Sequence, residues 1–307
     1  MSLPDVSIVI VNWNTRDLLR DCLIALAANA QMMTETIVVD NDSIDGSVEM
    51  LAAEFPEMRV ITNASNVGFA PANNQGLARA RGRYALLLNS DTRVASDTLI
   101  NLINFMDAHP QAGACGPQLR NADGTLQPSG RRFPTLASTL GELLPVPERW
   151  RRKWRGDLET RDYDQVCPVD ELSGAALCVR RVALEQIGFL DEDFFFLGED
   201  IDLCWRLKSA GWQVFYVPTA RVMHYWGGSR NKTQSYRISL LSQRSYYLLF
   251  RKHRAKTQAR VLKVVLVSLT GMKLCKWLVK SLVRLDMQQA RQVIRQHLAE
   301  LAWLARN

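Results

Sequence analysis

At 307 residues, with 47% hydrophobic and 22% charged residues, the chain is long enough for one large α/β domain plus an appendage, and its composition excludes global disorder. The formal net charge of +7 is unevenly placed: residues 251–307 hold 13 Lys and Arg against 2 Asp and Glu, a net of +11 that leaves −4 on the first 250. Basicity therefore belongs to the tail and says little about the partners of the main domain.

The β-branched run Val6–Asn12 predicts a strand, and residues 16–29 a helix that Asn14 or Thr15 can cap. A second strand at 36–40 ends in Asp40-Asn41-Asp42-Ser43, followed by a helix at 47–55 and a third strand at Arg59–Thr62. Residues 70–81 form a small-residue helix stopped by Gly82. Tyr84–Asn89 is a fourth strand, apolar at its centre, and 96–109 a helix closed by Pro110. A fifth strand follows at 113–118. Such β-α-β alternation predicts an α/β domain built on a mostly parallel, doubly wound sheet. After a turn at 121–124, residues 131–165 are rich in Pro, Arg and Trp and read as a long excursion with a short helix at 136–144. A strand returns at 171–180, then a helix ending near Gly188, a helix at 200–210 stopped by Gly211, and a late strand at 214–218.

From about Ser235 the chain reads as helices. Residues 261–285 are strongly apolar but interrupted by Lys263, Lys273, Lys276, Lys280 and Arg284. Central lysines are costly in a spanning helix and tolerated on the polar face of an interfacial one. The tail is thus expected either to lie on a membrane surface or to pack against protein. Arg149, Arg151, Arg152, Lys153 and Arg155 form a second basic group, suited to lipid phosphates or to solvent. The N-terminus shows no basic leader region or cleavage site, and its apolar run is too short for a signal peptide. Cys22, Cys115, Cys167, Cys178, Cys204 and Cys275 form no C-x-x-C pair, which fits a reducing cytosol.

Polar residues collect where strands end: Asn12 and Asn14, Asp40 and Asp42, Asn89 and Asp91. Ligands of open α/β sheets bind outside the carboxyl ends of the strands, although Asn and Asp also serve turns and caps. No G-x-G-x-x-G follows the first strand and no G-x-x-x-x-G-K-[ST] occurs, so a bound phosphate needs another means of neutralisation. Asp91 suits either of two roles, a cap for the next turn or a carboxylate holding Mg²⁺ or Mn²⁺ beside phosphate oxygens. Gly198-Glu199-Asp200-Ile201-Asp202 places three acids at a helix start, where they compensate the dipole. The apolar run Phe194-Phe195-Phe196-Leu197 just before them can raise a carboxylate toward the general-base range. His224, at a strand exit before Gly227-Gly228-Ser229, is either structural or a ligand.

In this order the segments resemble family 2 glycosyltransferases, and within them the rhamnosyltransferase-like branch, over roughly residues 5–230. The resemblance rests on Val6-Ser7-Ile8-Val9-Ile10-Val11-Asn12-Trp13-Asn14, Val38-Val39-Asp40-Asn41-Asp42-Ser43, Asn66-Val67-Gly68-Phe69-Ala70 with Asn73-Asn74, Leu86-Leu87-Leu88-Asn89-Ser90-Asp91, Ser173-Gly174-Ala175-Ala176, Gly198-Glu199-Asp200-Ile201-Asp202-Leu203 and His224. It implies a GT-A fold, with a nucleotide-binding half at about 1–120, an acceptor-binding half at about 121–234, and a basic helical region at 235–307. It implies direct displacement at the anomeric carbon with inversion. Asn12, Asn14 and Asp40 would hold base and ribose. Asn66, Gly68 and Phe69 would shape the wall near nucleotide and sugar, and Asp42, Asn73, Asn89, Ser90 and Gly174 would complete the donor site. Asp91 would bind Mg²⁺ or Mn²⁺ with His224. Asp200 would be the general base, with Glu199 as the second choice. The first position of the family's D-x-D is Asn89 here, and the lost charge should weaken the metal. The implied donor is dTDP-L-rhamnose, or a UDP- or GDP-sugar. The implied acceptor is a lipid-linked or polysaccharide hydroxyl, including one on a polyprenyl-diphosphate-linked saccharide, reached from the inner face of the cell membrane. A nucleotide-sugar-binding module without transfer is the alternative. No recognised motif supports a nucleic-acid partner.

Overall fold

The computed structural model describes residues 3–29, 32–144, 146–150, 163–195, 197–225, 232–283 and 287–306, with backbone alone at 232–239, 280, 282–283 and 287–290. Arg151, Arg152, Lys153, Arg155, Phe196 and Gly227–Ser229 lie outside the described residues.

Strands β1 (Val6–Asn12), β2 (Thr34–Asp40), β3 (Arg59–Thr62) and β4 (Tyr84–Asn89) run parallel in the order β3-β2-β1-β4. β1 is buried along its whole length, as a parallel strand covered on both faces must be. The pleat divides its side chains between two cores. Ile8 and Ile10 join Leu19, Leu23, Leu86 and Leu88, whereas Val9 joins Leu77, Leu87, Leu177 and Leu203. Small residues let the helix Phe69–Leu77 lie directly on the sheet: a Cβ on Gly76 would stand 2.4 Å from Val9 Cγ1.

Beyond β4 the sheet turns mixed and continues through four further strands, Ala176–Arg180, Ala112–Arg120, Gln213–His224 and Thr92–Val94, in that order. β11 (Ala176–Arg180) runs antiparallel between β4 and β6 (Ala112–Arg120). β12 (Gln213–His224) is parallel to β6, and β5 (Thr92–Val94) is antiparallel to β12. Short strands β7 (Leu126–Gln127) and β9 (Cys167–Val169) attach to β6 and β12, while β8 (Gly130–Arg131) and β10 (Glu171–Leu172) form a separate pair.

Three sequence expectations are corrected. Residues 171–180 are not one strand: they form β10 and β11, divided by a turn at 173–175. The late strand is 12 residues long because β6, β9 and β5 all pair with it, so His224 is its last residue and not a loop residue beyond it. β5 was not anticipated, since three residues carry no periodicity.

The chain separates into two compact units, Met1–Lys232 and Thr233–Asn307. The second is helical, with helices Lys256–Val283 and Met287–Arg306 packed on one another. Within it Arg244 meets buried Glu300 at 2.6 Å. Among the described residues no helix is long and apolar enough to cross a membrane, and all six cysteines are free.

Candidate active site

The carboxyl ends of β1, β2 and β4 meet in one hydrogen-bonded network. The Asn12 amide donates to Asp40 Oδ1 at 2.8 Å and to Ser43 Oγ at 3.0 Å. Its carbonyl accepts the Thr15 hydroxyl at 2.7 Å, and that hydroxyl lies 2.8 Å from Ser90 Oγ. Thr15 does stand at the start of the helix Arg16–Ala27, but its side chain makes no cap bond; it joins β1 to the β4 turn instead. Ser43 N–H donates to Asp40 Oδ2 at 2.9 Å. Asn12 and Asp40 are both buried, so the carboxylate is held by donors on either side and cannot swing. Asn14 and Asp42 have left-handed backbones, φ 54° and 70°. Asn14 carries this turn by accepting the Ile44 N–H at 2.8 Å, while Asp42 is exposed.

Asn41 is the hub of the neighbouring wall. Its amide donates to Asn66 Oδ1 at 3.0 Å and to Gly68 O at 3.1 Å, and its carbonyl accepts Asn63 Nδ2 and Val67 N–H, each at 3.1 Å. Asn66 Oδ1 also accepts Gly68 N–H at 3.0 Å. Gly68 has φ 101°, and a Cβ there would stand 2.9 Å from the Phe195 ring and 3.0 Å from its carbonyl oxygen. Phe69 N–H donates to that carbonyl at 2.8 Å. The apolar run before the acidic helix is thus tied to the Asn66–Phe69 wall. Asn73 is buried and its amide donates to Phe69 O within its own helix; Asn74 reaches outward to Leu190 O and Glu192.

Asp91 and His224 meet because β5 pairs with β12, registering His224 against Thr92. Asp91 Oδ1 stands 3.2 Å from His224 Nε2. That nitrogen and Asn89 Oδ1 are buried polar atoms with no hydrogen-bond partner among the described residues. His224 Nδ1 is 2.8 Å from Gln127 Oε1. Two adjacent ligands of an octahedral Mg²⁺ or Mn²⁺, each about 2.1 Å from the ion, lie about 3 Å apart. The Asp91–His224 pair fits that spacing. Among the described residues no group of three or more His, Cys, Asp or Glu could hold a metal. A cation here would draw its remaining ligands from water and phosphate oxygens, as Mg²⁺ commonly does, unlike a closed zinc site.

The three acids divide their work. The helix Glu199–Ser209 is preceded by Gly198 at φ 94°, and no side chain caps it, so all three sit in its first turn. Asp202 is buried and paired with Arg206 at 2.7 Å; Arg206 also donates to the carbonyls of Ile187, Gly188 and Phe189. Glu199 is buried, and its Oε2 has no hydrogen-bond partner among the described residues. Burial, and then the charges of Asp200 and Asp202, push its carboxyl well above the usual range. Asp200 is only half-buried. Its Oδ2 accepts Gly174 N–H and its Oδ1 accepts Ile201 N–H, each at 2.8 Å. Burial raises its pKa, and these two N–H groups and Arg131 oppose the rise. A Cβ on Gly174 would stand 3.3 Å from that carboxylate, so glycine permits the approach. The same turn holds β4, since Asn89 N–H donates to Ala175 O at 3.0 Å. Residues 173–175 thus bridge the acidic helix and the Asn89–Asp91 turn.

Asn41 and Gln127 are the supporting residues that sequence reasoning passed over. Asn41 stood inside the Asp40–Ser43 motif and could have been found there. Gln127 had no local signal, since its partner is 97 residues away.

The model for glycosyl transferase family 2 matches residues 7–188, and the model for glycosyl transferase family group 2 matches 149–290. An N-acetylglucosaminyl-diphospho-decaprenol L-rhamnosyltransferase of Mycobacterium tuberculosis is 28% identical over 263 residues, 80% of this chain and 84% of that protein. Among solved structures, a mannosyltransferase of Pyrobaculum calidifontis in complex with GDP-Man and Mn²⁺ aligns with a TM-score of 0.58 at 16% identity, covering 99% of this chain and 87% of that one. GalNAc-T7 with UDP, GalNAc and Mn²⁺ aligns at 0.57 and 16% identity over 81% of this chain, which spans only 48% of that longer protein. At such identities the likeness shows the fold, which is GT-A.

Proposed function

The chain belongs to glycosyl transferase family 2, and from that premise we propose that it is an inverting transferase that moves L-rhamnose from dTDP-L-rhamnose to a hydroxyl of a polyprenyl-diphosphate-linked saccharide in cell-surface glycan assembly. The likeness to the mycobacterial rhamnosyltransferase supports the donor sugar and the acceptor class. The observations that carry the chemistry are the pairing of Asp91 with His224 Nε2 at 3.2 Å and a half-buried Asp200 whose two oxygens are oriented by the backbone N–H groups of Gly174 and Ile201.

Residues 1–120 would bind the donor. Asp40, fixed by Asn12 and Ser43, would accept a hydroxyl of the ribose or a ring N–H of the base. The Asn66–Phe69 wall and Asn14 would close the nucleotide side, with Asn89, Ser90 and Gly174 lining the approach to the sugar. Asp91 and His224 would hold Mg²⁺ or Mn²⁺, which when bound shares the charge of the departing diphosphate. Residues 121–234 would bind the acceptor. Asp200 would take the acceptor hydroxyl proton as the oxygen attacks the anomeric carbon. The new C–O bond forms as the bond to the diphosphate breaks, and nucleoside diphosphate leaves with the electron pair. Attack opposite the leaving group inverts the centre, without the flanking carboxylate pair of a retaining hydrolase. Glu199, whose pKa is raised by burial and by the charges of Asp200 and Asp202, would hold its proton more firmly than an ordinary carboxyl and so oppose Asp200 with less like charge.

The acceptor class suits a protein resting on the inner face of the cell membrane. Val261, Val264, Met272 and Val279 are exposed on one side of the helix Lys256–Val283, with Lys276 and Lys273 bordering them and Lys263 on the opposite side, an arrangement that suits an interfacial helix. Thermal shift with dTDP-, UDP- and GDP-sugars in Mg²⁺ or Mn²⁺ tests the donor, since the cognate one raises the melting temperature by mass action. Release of nucleoside diphosphate only when the lipid-linked acceptor is supplied tests transfer. Donor binding without that release would reduce the chain to a binding module.

A further inference from the structure

The hairpin at 121–127 carries a row of hydrogen bonds whose polarity is fixed from one end. Asp123, ionised at neutral pH and held below the usual carboxylate range by the Thr125 hydroxyl and N–H, can only accept. The Thr125 hydroxyl therefore donates to Asp123 Oδ1 at 2.6 Å and has only lone pairs left for Asn121, whose Nδ2 lies 2.9 Å away. That orients the Asn121 amide, so its Oδ1 accepts from Gln127 Nε2 at 2.9 Å. Gln127 then has its carbonyl oxygen, and not its amino group, 2.8 Å from His224 Nδ1. An oxygen at that distance requires the proton on Nδ1. Register explains the reach: Leu119 of β6 stands between Gln127 on β7 and Val222 on β12, so the side chain crosses one strand to meet His224.

We propose that Gln127 is a positioning residue that commits His224 to the tautomer protonated at Nδ1, leaving Nε2 as the nitrogen offered to a divalent cation beside Asp91. A histidine ligand whose other nitrogen is fixed by a hydrogen-bond acceptor binds metal more tightly, because neither ring flip nor tautomer exchange competes. This inference rests on the assignment of Asp91 and His224 to the cation. It adds a residue that touches neither metal nor sugar, and it gives the short β7 strand a task. It also bears on the missing first aspartate. With Asn89 neutral, the two protein ligands carry a single formal charge, so orientation of the neutral imidazole contributes proportionally more of the affinity.

The test uses the full chain and two readouts besides turnover. A long-range ¹H–¹⁵N imidazole spectrum, with His224 identified by its loss in His224→Gln, reports the tautomer without metal. Titration with Mn²⁺ alone, followed by electron paramagnetic resonance, reports affinity. Wild type should carry the proton on Nδ1 whenever the ring is neutral, an additional Nε2–H toward Asp91 belonging to the imidazolium alone. Gln127→Leu should gain the Nε2–H form and bind Mn²⁺ about 10-fold more weakly or worse. Gln127→Glu, which still accepts at Nδ1, should restore binding close to wild type; a merely structural role would not separate these two variants. If Gln127→Leu fails to fold, Asn121→Ala frees the Gln127 amide to turn over and should yield mixed tautomers. A wild-type proton on Nε2 alone, or unchanged tautomer and Mn²⁺ affinity in Gln127→Leu, would overturn the proposal. Asp91→Asn keeps the two readings apart. If it binds Mn²⁺ as wild type does, the cation assignment fails and the spectrum alone decides the role of Gln127. If it loses Mn²⁺ while Gln127→Leu does not, the cation assignment stands and the positioning role falls.

Discussion

Replacing Asn41 by alanine tests whether the Asn66–Phe69 wall is held by one amide. The side chain makes four hydrogen bonds, two donated and two accepted, in a buried setting. Its removal strands Val67 N–H and Gly68 C=O, which are fixed in the backbone, whereas the half-buried Asn63 and Asn66 side chains can turn to water. A buried backbone group left unpaired costs about 1–3 kcal/mol, so two cost about 2–6 kcal/mol. For a unit of this size each kcal/mol lowers the melting temperature by about 2–4 °C, which predicts a loss of about 4–24 °C. Calorimetric titration with nucleoside diphosphate should show weaker binding as well, because Gly68 and Phe69 lose the amide that orders them. Asn41→Asp sharpens the test. It keeps the two accepted bonds but sets a second oxygen against Asn66 Oδ1 and Gly68 O. It should therefore be as unstable as the alanine variant at pH 8, and recover as pH falls and the carboxyl gains a proton to donate. A melting temperature of Asn41→Ala within 2 °C of wild type, by the same arithmetic less than about 1 kcal/mol, or an Asn41→Asp protein indifferent to pH, would refute the hub.

Three further outcomes follow from the acidic helix. The transfer rate should rise with pH through the raised pKa of Asp200, because the base works only when ionised, and Asp200→Asn should lose transfer and this limb of the pH–rate profile while still binding donor. Glu199→Gln should stabilise the fold increasingly as pH climbs. A buried carboxyl with a raised folded pKa favours the protonated state, so the wild type loses stability from the ordinary carboxylate range upward and the amide does not; parallel unfolding curves at pH 5 and pH 8 would contradict this. Arg206→Met should cost about 3–5 kcal/mol in denaturant unfolding, since it leaves Asp202 charged and buried and frees three carbonyls.

The parallel half of the sheet could be read from the chain because β1, β2 and β4 have apolar, β-branched or leucine-rich centres and alternate with helical segments, and both signals are local. The mixed half could not. β5 has three residues, and only its pairing with β12, some 130 positions later, makes it a strand. The turn at 173–175 lay hidden in an apolar segment because the groups that shape it, Asp200 and Asn89, are distant in sequence. The same divide runs through the site. Asp40, Asp91 and Asp200 announce themselves as acids at strand exits or helix starts. What they can do depends on Asn12 locking Asp40, on β5 bringing His224 to Asp91, and on Gly174 admitting Asp200. Asn89 shows why the distinction matters. By sequence it is a lost charge that should weaken a metal. In the fold its Oδ1 is buried without a hydrogen-bond partner among the described residues, close in sequence to the acid it cannot assist as a second carboxylate. A carboxylate there would add charge but also bring it close to Asp91, and two like charges in that setting raise both pKa values unless a cation is always present. Asn89→Asp should therefore tighten Mn²⁺ binding and lower the melting temperature of the metal-free protein, with added Mn²⁺ closing the gap. Tighter binding with no loss of metal-free stability would mean that solvent already screens the Asn89–Asp91 turn.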